Sequence, residues 1–306
     1  MAQHVGIEFV VKKRTVPVPS PETLTTHLLK SADETRAAVN AAKSAGDSVG
    51  FVPTMGALHQ GHLSLVEASL AECDRTVVSI FINPTQFGKG EDLDQYPRSL
   101  DQDMRQLESL GCWLVFAPEK EEMYAENFET FVEVGNVAIP LEGAMRPTHF
   151  RGVATVVLKL LQIVPADRIY FGQKDYQQTL VVKKLVQDLN VPTEIRIMPI
   201  IREADGIAMS SRNTNLSLSE RGIACSLWQA LQLAEKLWHA GEKNAETILQ
   251  AMKKTLALVE GLEVEYIALL QQGTVHEVTT IEGPTVAVIA ARVGQTRLID
   301  NHVIGY

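Results

Sequence analysis

A chain of 306 residues, 45% hydrophobic and 21% charged, can bury a core large enough for one large or two medium domains. Its formal net charge of -9 argues against broad nonspecific nucleic-acid binding, which needs a basic surface to displace counterions. Three widely spaced cysteines (Cys73, Cys112, Cys225), no bilayer-length apolar run and no apolar signal core lead us to expect core thiols, no membrane partner and a cytoplasmic location.

In chain order, residues 1–26 combine prolines with mixed charge and read as an extended N-terminal arm, partly disordered. Short apolar, β-branched runs at 48–53, 76–82, 113–117, 168–171 and 194–201 predict strands. Helical periods between them predict helices at 62–72, 99–110, 153–164 and 176–189. In the third of these, Val153, Val156, Val157, Leu160, Leu161 and Val164 recur at helical spacing before Pro165 closes the run. Strands buried on both faces and separated by helices imply an open, doubly wound, mainly parallel α/β sheet over 27–200. Such a sheet binds ligands in a crevice at the carboxyl ends of its strands.

Beyond residue 201 the pattern changes. Ser217 to Glu220 forms a capping box that opens a helix ended by Gly241, and a second helix is expected at 245–259. Strand patterns follow at 264–269, 285–293 and 296–304. Residues 201–306 therefore read as a smaller α+β domain.

The segment PTMGALHQGHLSL, residues 53–65, sets two glycines and two histidines after the first strong strand. A P-loop would need Lys and Ser or Thr where His62 and Leu63 stand, and no zinc ligand set accompanies His59 and His62. What remains is His-x-Gly-His at a helix start. There, Gly61 leaves room for a flat ligand, the helix end offers N–H groups to phosphate, and the histidines donate hydrogen bonds. Taken alone, the turn is also compatible with a glycine connection bearing two surface histidines. It resembles the signature turn of nucleotidyltransferases and class I aminoacyl-tRNA synthetases. Three more polar segments follow strands of the same sheet: FINPTQFG at 81–88, FGQKDYQQ at 171–178 and READGIAMSSRN at 202–213. Four such loops at strand ends converge on one crevice.

With DLDQYPRSL (92–100), RPTHFRGVATVVLKLLQIV (146–164) and, more weakly, TRLIDN (296–301), these segments closely resemble the pantoate–β-alanine ligase family. The resemblance implies a Rossmann-like ATP- and pantoate-binding catalytic domain, a C-terminal lid and a homodimer. It also implies ATP-dependent condensation of pantoate with β-alanine through a pantoyl adenylate, with magnesium. Carried over, Met55, Gly56, Ala57, Leu58, His59, Gln60, Gly61 and His62 form the first ATP segment, with His62 in the proton-donor position and His59 assisting. Gly172, Gln173, Lys174 and Asp175 form a second, in which Lys174 stabilises the phosphates. Ile201, Met209, Ser210, Ser211 and Arg212 complete the nucleotide contacts. Gln86 corresponds to the ligand of pantoate and β-alanine, and Gln178 to the second ligand of pantoate.

Asp101 and Asp103 lie in the matching acidic region, but residues two apart on a helix point in different directions. Asp103 is the magnesium candidate, and a solvated acidic face is the alternative for the pair. His149 reads as a support for the site rather than a ligand, Asp205–Gly206 as a turn, and Trp228 and Trp238 as core. A synthetase acting on tRNA, a transferase of AMP to a nucleotide and a nucleotide-binding regulator without turnover are the competing readings. The paired glutamines and histidines favour the ligase.

Overall fold

The computed structural model describes residues 25–305 except 89, 90, 92, 94 and 95, so nearly all of the expected N-terminal arm lies outside the described residues. In the first part of the chain, β1 (His27–Leu29), α1 (Ala32–Ser44), β2 (Val49–Thr54), α2 (Gln60–Glu72), β3 (Arg75–Ile80), α3 (Leu100–Leu110) and β4 (Leu114–Phe116) come first. Then follow α4 (Lys120–Met123), α5 (Glu142–Met145), α6 (His149–Ile163), β5 (Arg168–Gly172), α7 (Tyr176–Asp188) and β6 (Glu194–Met198). The six strands form one sheet in the order β1-β4-β3-β2-β5-β6, and every pair is parallel.

The order reverses at β2, with β3 and β4 built to one side and β5 and β6 to the other. Such a switch point is where a doubly wound sheet opens a ligand crevice. The pairing shows the opening directly. β2 pairs with β3 along its whole length, from Val49 to Thr54, but with β5 only at Gly50↔Arg168 and Phe51↔Ile169. Beyond Phe51 the two strands part. Helices cover both faces, which is why β2 and β3 read as nearly unbroken apolar runs. Val153, Val157 and Leu161 of α6 pack on one face with Phe51, Val77 and Phe171. On the other face, Leu65 and Val66 of α2 pack with Val52, Val78 and Tyr170.

The second unit comprises α8 (Leu218–His239), α9 (Ala245–Ala257), β7 (Leu262–Gln271), β8 (Thr285–Val293) and β9 (Thr296–Ile304). Its sheet is antiparallel in the order β7-β8-β9. The expected capping box is formed: Ser217 Oγ accepts the Glu220 N–H at 3.3 Å and Glu220 accepts the Ser217 N–H at 2.9 Å. One face of the sheet packs on α8 and α9 through Leu269, Ala287, Ile289 and Ala291. The other face, with Ala268, Leu270, Val286 and Val288, packs on Tyr176 and Leu180 of α7. Burial on both faces removes the polar alternation expected of an antiparallel strand, and β8 is apolar almost throughout. No described helix is long and apolar enough to cross a membrane.

Two close approaches fit the fold to the site. Gly206, at a φ of +91°, makes the expected Asp-Gly turn and leaves no room for a Cβ, which would lie 2.3 Å from the Trp228 ring. On α6, a Cβ at Gly152 would lie 2.3 Å from the Thr85 carbonyl oxygen and 2.6 Å from Gln86 Cα. Alanine in a helix is ordinarily favoured over glycine by about 1 kcal/mol. Overpacking against backbone costs about 1–3 kcal/mol, so the second effect wins at this position. Gly152→Ala is expected to lower the melting temperature and to displace the turn that carries Gln86. A variant as stable as the parent in thermal denaturation would show that the turn yields without strain.

Candidate active site

The histidine turn is built on a buried carboxylate. Gly56 and Ala57 follow β2 with φ of +83° and +51°. This left-handed pair aims the N–H groups of Ala57 and Leu58 at Asp103 of α3, whose two oxygens accept them at 2.9 and 2.8 Å. Asp103 is 1% exposed, whereas Asp101 faces solvent, so the two do point apart as their spacing implied. Asp103 is thus committed to shaping the turn and does not line the cavity. The described residues contain no cluster of three His, Cys, Asp or Glu placed to hold a metal ion.

His59 then caps α2 by accepting the Gly61 N–H on Nδ1 at 3.1 Å, and His62 Nδ1 accepts the His59 N–H at 3.4 Å. The two rings stack with centroids 4.0 Å apart. Gly61 leaves room for this stack, because a Cβ there would lie 2.9 Å from His59 Cε1. The first backbone donors are also partly used, since Gly61 N–H goes to His59 Nδ1 and His62 N–H to the His59 carbonyl. Burial first, then His59 and Lys174, push His62 down to about 3, and burial first, then Lys174, brings His59 to about 4. Both rings are neutral near pH 7. With Nδ1 accepting, each carries its proton on Nε2, as a donor.

Gln86 sits in the short helical turn Pro84–Gln86 after β3, and its side chain lies against the histidine turn through a 3.0 Å contact from Nε2 to Met55 Sδ. Its amide oxygen accepts from Asn83 Nδ2 at 3.1 Å. Asn83 is itself 1% exposed, and its Oδ1 accepts from Tyr124 Oη at 2.9 Å and Thr85 Oγ1 at 2.9 Å. The Gln86 carbonyl lies 2.9 Å from His149 Nδ1. That ring is pushed down to about 4 by burial and then Arg146, so it stays neutral and donates there. His149 thus supports the site, as its place in the sequence suggested. Arg146 pairs with Glu91 at 2.7 Å, whereas Arg151 lies over the Phe131 ring at 4.0 Å, away from the crevice.

A cavity of about 1010 Å³ opens where β2 and β5 part and runs under the C-terminal sheet. Of the residues expected from sequence, Met55, His62, Gln86, Gly172, Lys174, Asp175, Gln178, Ser210 and Arg212 line it. The others lie one step back. Gly56, Ala57, Leu58, His59 and Gly61 form the turn behind His62, and Gln60 faces solvent. Gln173 turns away to Asn301 at 3.2 Å. Met209 donates its N–H to the Ile201 carbonyl at 2.9 Å and lies against Gly61, while Ser211 Oγ is 3.2 Å from Tyr96 Oη. Ser210 caps its own short helix, Ser211–Asn215, by accepting the Arg212 N–H at 3.3 Å.

The family model for pantoate-beta-alanine ligase matches residues 27–303, nearly the whole described chain. The chain belongs to the pantoate–β-alanine ligase family. A pantothenate synthetase of Herpetosiphon aurantiacus is 51% identical over 267 residues, which span 87% of this chain and 97% of that one. Another, of Moorella thermoacetica, is 47% identical over 90% of this chain and 98% of its own length. The pantothenate synthetase of Thermus thermophilus superposes with a TM-score of 0.87 at 42% identity, covering 90% of this chain and 99% of that chain. The ligase of Francisella tularensis, crystallised with β-γ ATP and β-alanine, superposes at 0.77 with 34% identity, covering 91% and 98%.

Several residues of this ligase site were not singled out from sequence: Asn83, Tyr124, Arg202, Asp300 and Asn301. Asn83, Arg202, Asp300 and Asn301 lie within the motifs named above, so only their individual tasks were hidden. Tyr124 carries no local signal.

The histidines couple stability to pH. The unfolded chain protonates each ring near 6.5, whereas the native rings resist down to about 4 for His59 and His149 and about 3 for His62. Between those limits the unfolded state binds more protons, so stability falls as pH drops from 6.5 toward 4. Urea midpoints measured from about pH 7 to about pH 4.5 are expected to decline, with a shallower slope for His149→Gln. A flat profile would mean that these rings titrate normally.

Proposed function

We propose that this protein condenses pantoate with β-alanine using ATP, releasing AMP and diphosphate. The observation that carries this reading is the meeting of His62, Lys174, Gln86 and Gln178 on one cavity, in a chain of the ligase family. The relative crystallised with an ATP species and β-alanine supports the same substrate classes.

In the first step a pantoate carboxylate oxygen attacks the α-phosphorus, the bond to the bridging oxygen breaks, and diphosphate leaves with that electron pair. In the second, the β-alanine amine attacks the acyl carbon of the pantoyl adenylate, loses a proton, and AMP departs. A carboxylate is a poor acyl donor until its oxygen becomes part of a good leaving group, which is what ATP supplies. Lys174 offsets negative charge on the phosphates, and His62 with His59 offers neutral Nε2–H donors to oxygens gaining charge. At about 3, His62 is too weakly basic to arrive protonated near pH 7, so we assign it hydrogen-bond donation rather than the proton transfer implied by the family position. Gln86 and Gln178 hold the acid in line with the phosphorus, converting an encounter into an oriented attack.

Magnesium belongs to this reading as a companion of ATP. Asp103 does not fit it, since both of its oxygens serve the turn, so the phosphates would be the principal ligands. When bound, the ion adds charge neutralisation, and no step above is routed through it. We further propose a homodimer in the cytoplasm, with a nucleotide-binding domain over 27–200 and a lid over 201–306. The change from parallel to antiparallel sheet after β6 supports that division.

Purified protein with ATP and magnesium is expected to release AMP and diphosphate only when pantoate is added, and pantothenate only when β-alanine follows. Detection of ADP, or absence of pantothenate by mass spectrometry, would overturn the assignment. His62→Ala is expected to lose about 10²–10³-fold in kcat, the usual scale for one preorganised donor. His62→Gln, which places an N–H near the same point, is expected to retain more. Equal loss in both, with normal thermal transitions, would return His62 to proton transfer.

A further inference from the structure

Lys174 sits in a short helical turn, Gln173–Asp175, between β5 and α7, and something must fix where its side chain starts. The fixing contact comes from the other sheet. Asn301 on β9 is 2% exposed, and its Nδ2 donates to the carbonyl oxygens of both Gln173 and Lys174 at 3.0 Å each. Its Oδ1 accepts from Gln173 Nε2 at 3.2 Å. A reversed amide would set an oxygen against two carbonyl oxygens, so only one orientation satisfies the group.

The Asn301 backbone is held in turn. Its N–H donates to Asp300 Oδ1 at 2.7 Å, and its carbonyl accepts from Arg202 Nη2 at 3.2 Å. Arg202 grips Asp300 with both terminal nitrogens, at 2.7 and 3.0 Å, and its guanidinium lies 3.6 Å from the Trp228 ring centroid. Arg202 opens the loop that leads to Ser210 and Arg212. The middle of β9 therefore ties the Lys174 turn and the 202–212 loop to a common point, although neither Asp300 nor Asn301 is among the residues expected to touch substrate.

We propose that Asn301 is a positioning residue that sets Lys174 against the ATP phosphates, with the Asp300–Arg202 pair holding Asn301 in place. This rests on the reading of Lys174 given above. The C-terminal sheet thereby acts on the nucleotide through the backbone of the first sheet, and assembly of the two units completes the phosphate site. The proposal separates Asn301 from a residue that only supports folding, because its effect must pass through the Lys174 side chain.

A double-mutant cycle on ATP binding tests it, with calorimetric titration of magnesium-ATP in the absence of pantoate. Asn301→Ala is expected to weaken binding by about 10-fold, which is about 1.4 kcal/mol. Asn301→Asp is expected to bind more weakly still, because a carboxylate oxygen would face the two carbonyls. In a Lys174→Ala background, Asn301→Ala is expected to add no more than about a 2-fold loss, within the scatter of uncoupled sites. In turnover, Asn301→Ala should lower kcat and raise the KM for ATP while leaving the KM for β-alanine unchanged. Binding equal to the parent, or an undiminished effect in the Lys174→Ala background, would overturn the proposal. If Asn301→Ala does not give a cooperative thermal transition, the same cycle is read on Asn301→Ser, whose hydroxyl can satisfy only one carbonyl. Because ATP titration needs no pantoate, a protein that forms no pantothenate yet shows the non-additive cycle refutes the substrate reading and upholds the role of Asn301. Additive losses in an enzyme that does form pantothenate do the reverse.

Discussion

The Asp103 carboxylate, sharing its two oxygens between the N–H groups of Ala57 and Leu58, is the constraint on which the site depends. A left-handed alanine costs about 1–2 kcal/mol, which a turn does not sustain without compensation. Hydrogen bonds to a charged group contribute about 1.5–3 kcal/mol each and offset that cost. With Gly56 and Ala57 held this way, the chain reverses directly after β2, and His59 arrives at the first turn of α2. Capping by His59, its stack on His62 and the placement of His62 at the cavity wall all follow. The carboxylate belongs to α3, so packing of α3 beside α2 is a condition for the histidines to be arranged at all.

Strands that lie inside the sheet could be read as apolar runs because burial on both faces leaves no room for polar residues, and β8 and β9 have the bounds their patterns suggested. Between them, Gly294 at a φ of +54° allows a tight turn, and Val293 pairs with Thr296. The elements that were not anticipated are those whose burial is slight. α1 buries only Thr35, Val39 and Ala42 along its length, and β1 is an edge strand of three residues, mostly exposed. In the site, the polar segments after β2, β3, β5 and β6 marked the crevice correctly, because function concentrates at strand ends. The tasks of single residues were harder to read. Asp103 serves a partner that only tertiary packing reveals, and Asn301 reaches back across 127 residues to Lys174.

Charge is distributed over the cavity with a consistent logic. On the side toward the C-terminal sheet, Glu142 takes a two-pronged bond from Arg297 at 2.7 and 2.8 Å and a third from Tyr266 at 2.6 Å. Arg297 continues to Glu265 at 2.7 Å, while Arg146 joins Glu91 and lies 3.8 Å from Glu142. Arg297 and Tyr266 both hold the Glu142 carboxyl below the usual carboxylate range despite its burial. Buried ion pairs contribute little net stability, because desolvation nearly cancels their attraction. What this network does supply is geometry, since it joins α5 to β7 and β9 across the space between the two sheets.

On the opposite side of the cavity the arrangement differs in kind. Lys174 stands beside two imidazoles that burial keeps uncharged, and its own charge helps to keep them so. Three cations crowded together would repel one another in the absence of nucleotide. One cation with two neutral donors avoids that repulsion and, in the proposed reaction, would still offer hydrogen bonds to oxygens as they gain charge. In the proposed reaction such donors would strengthen with the charge they face and so favour the transition state over the bound substrate. The low histidine pKa values therefore follow from the same packing that builds the turn. The backbone hydrogen bonds that occupy Nδ1 of His59 and of His62 within the turn also select the tautomer that points a proton outward.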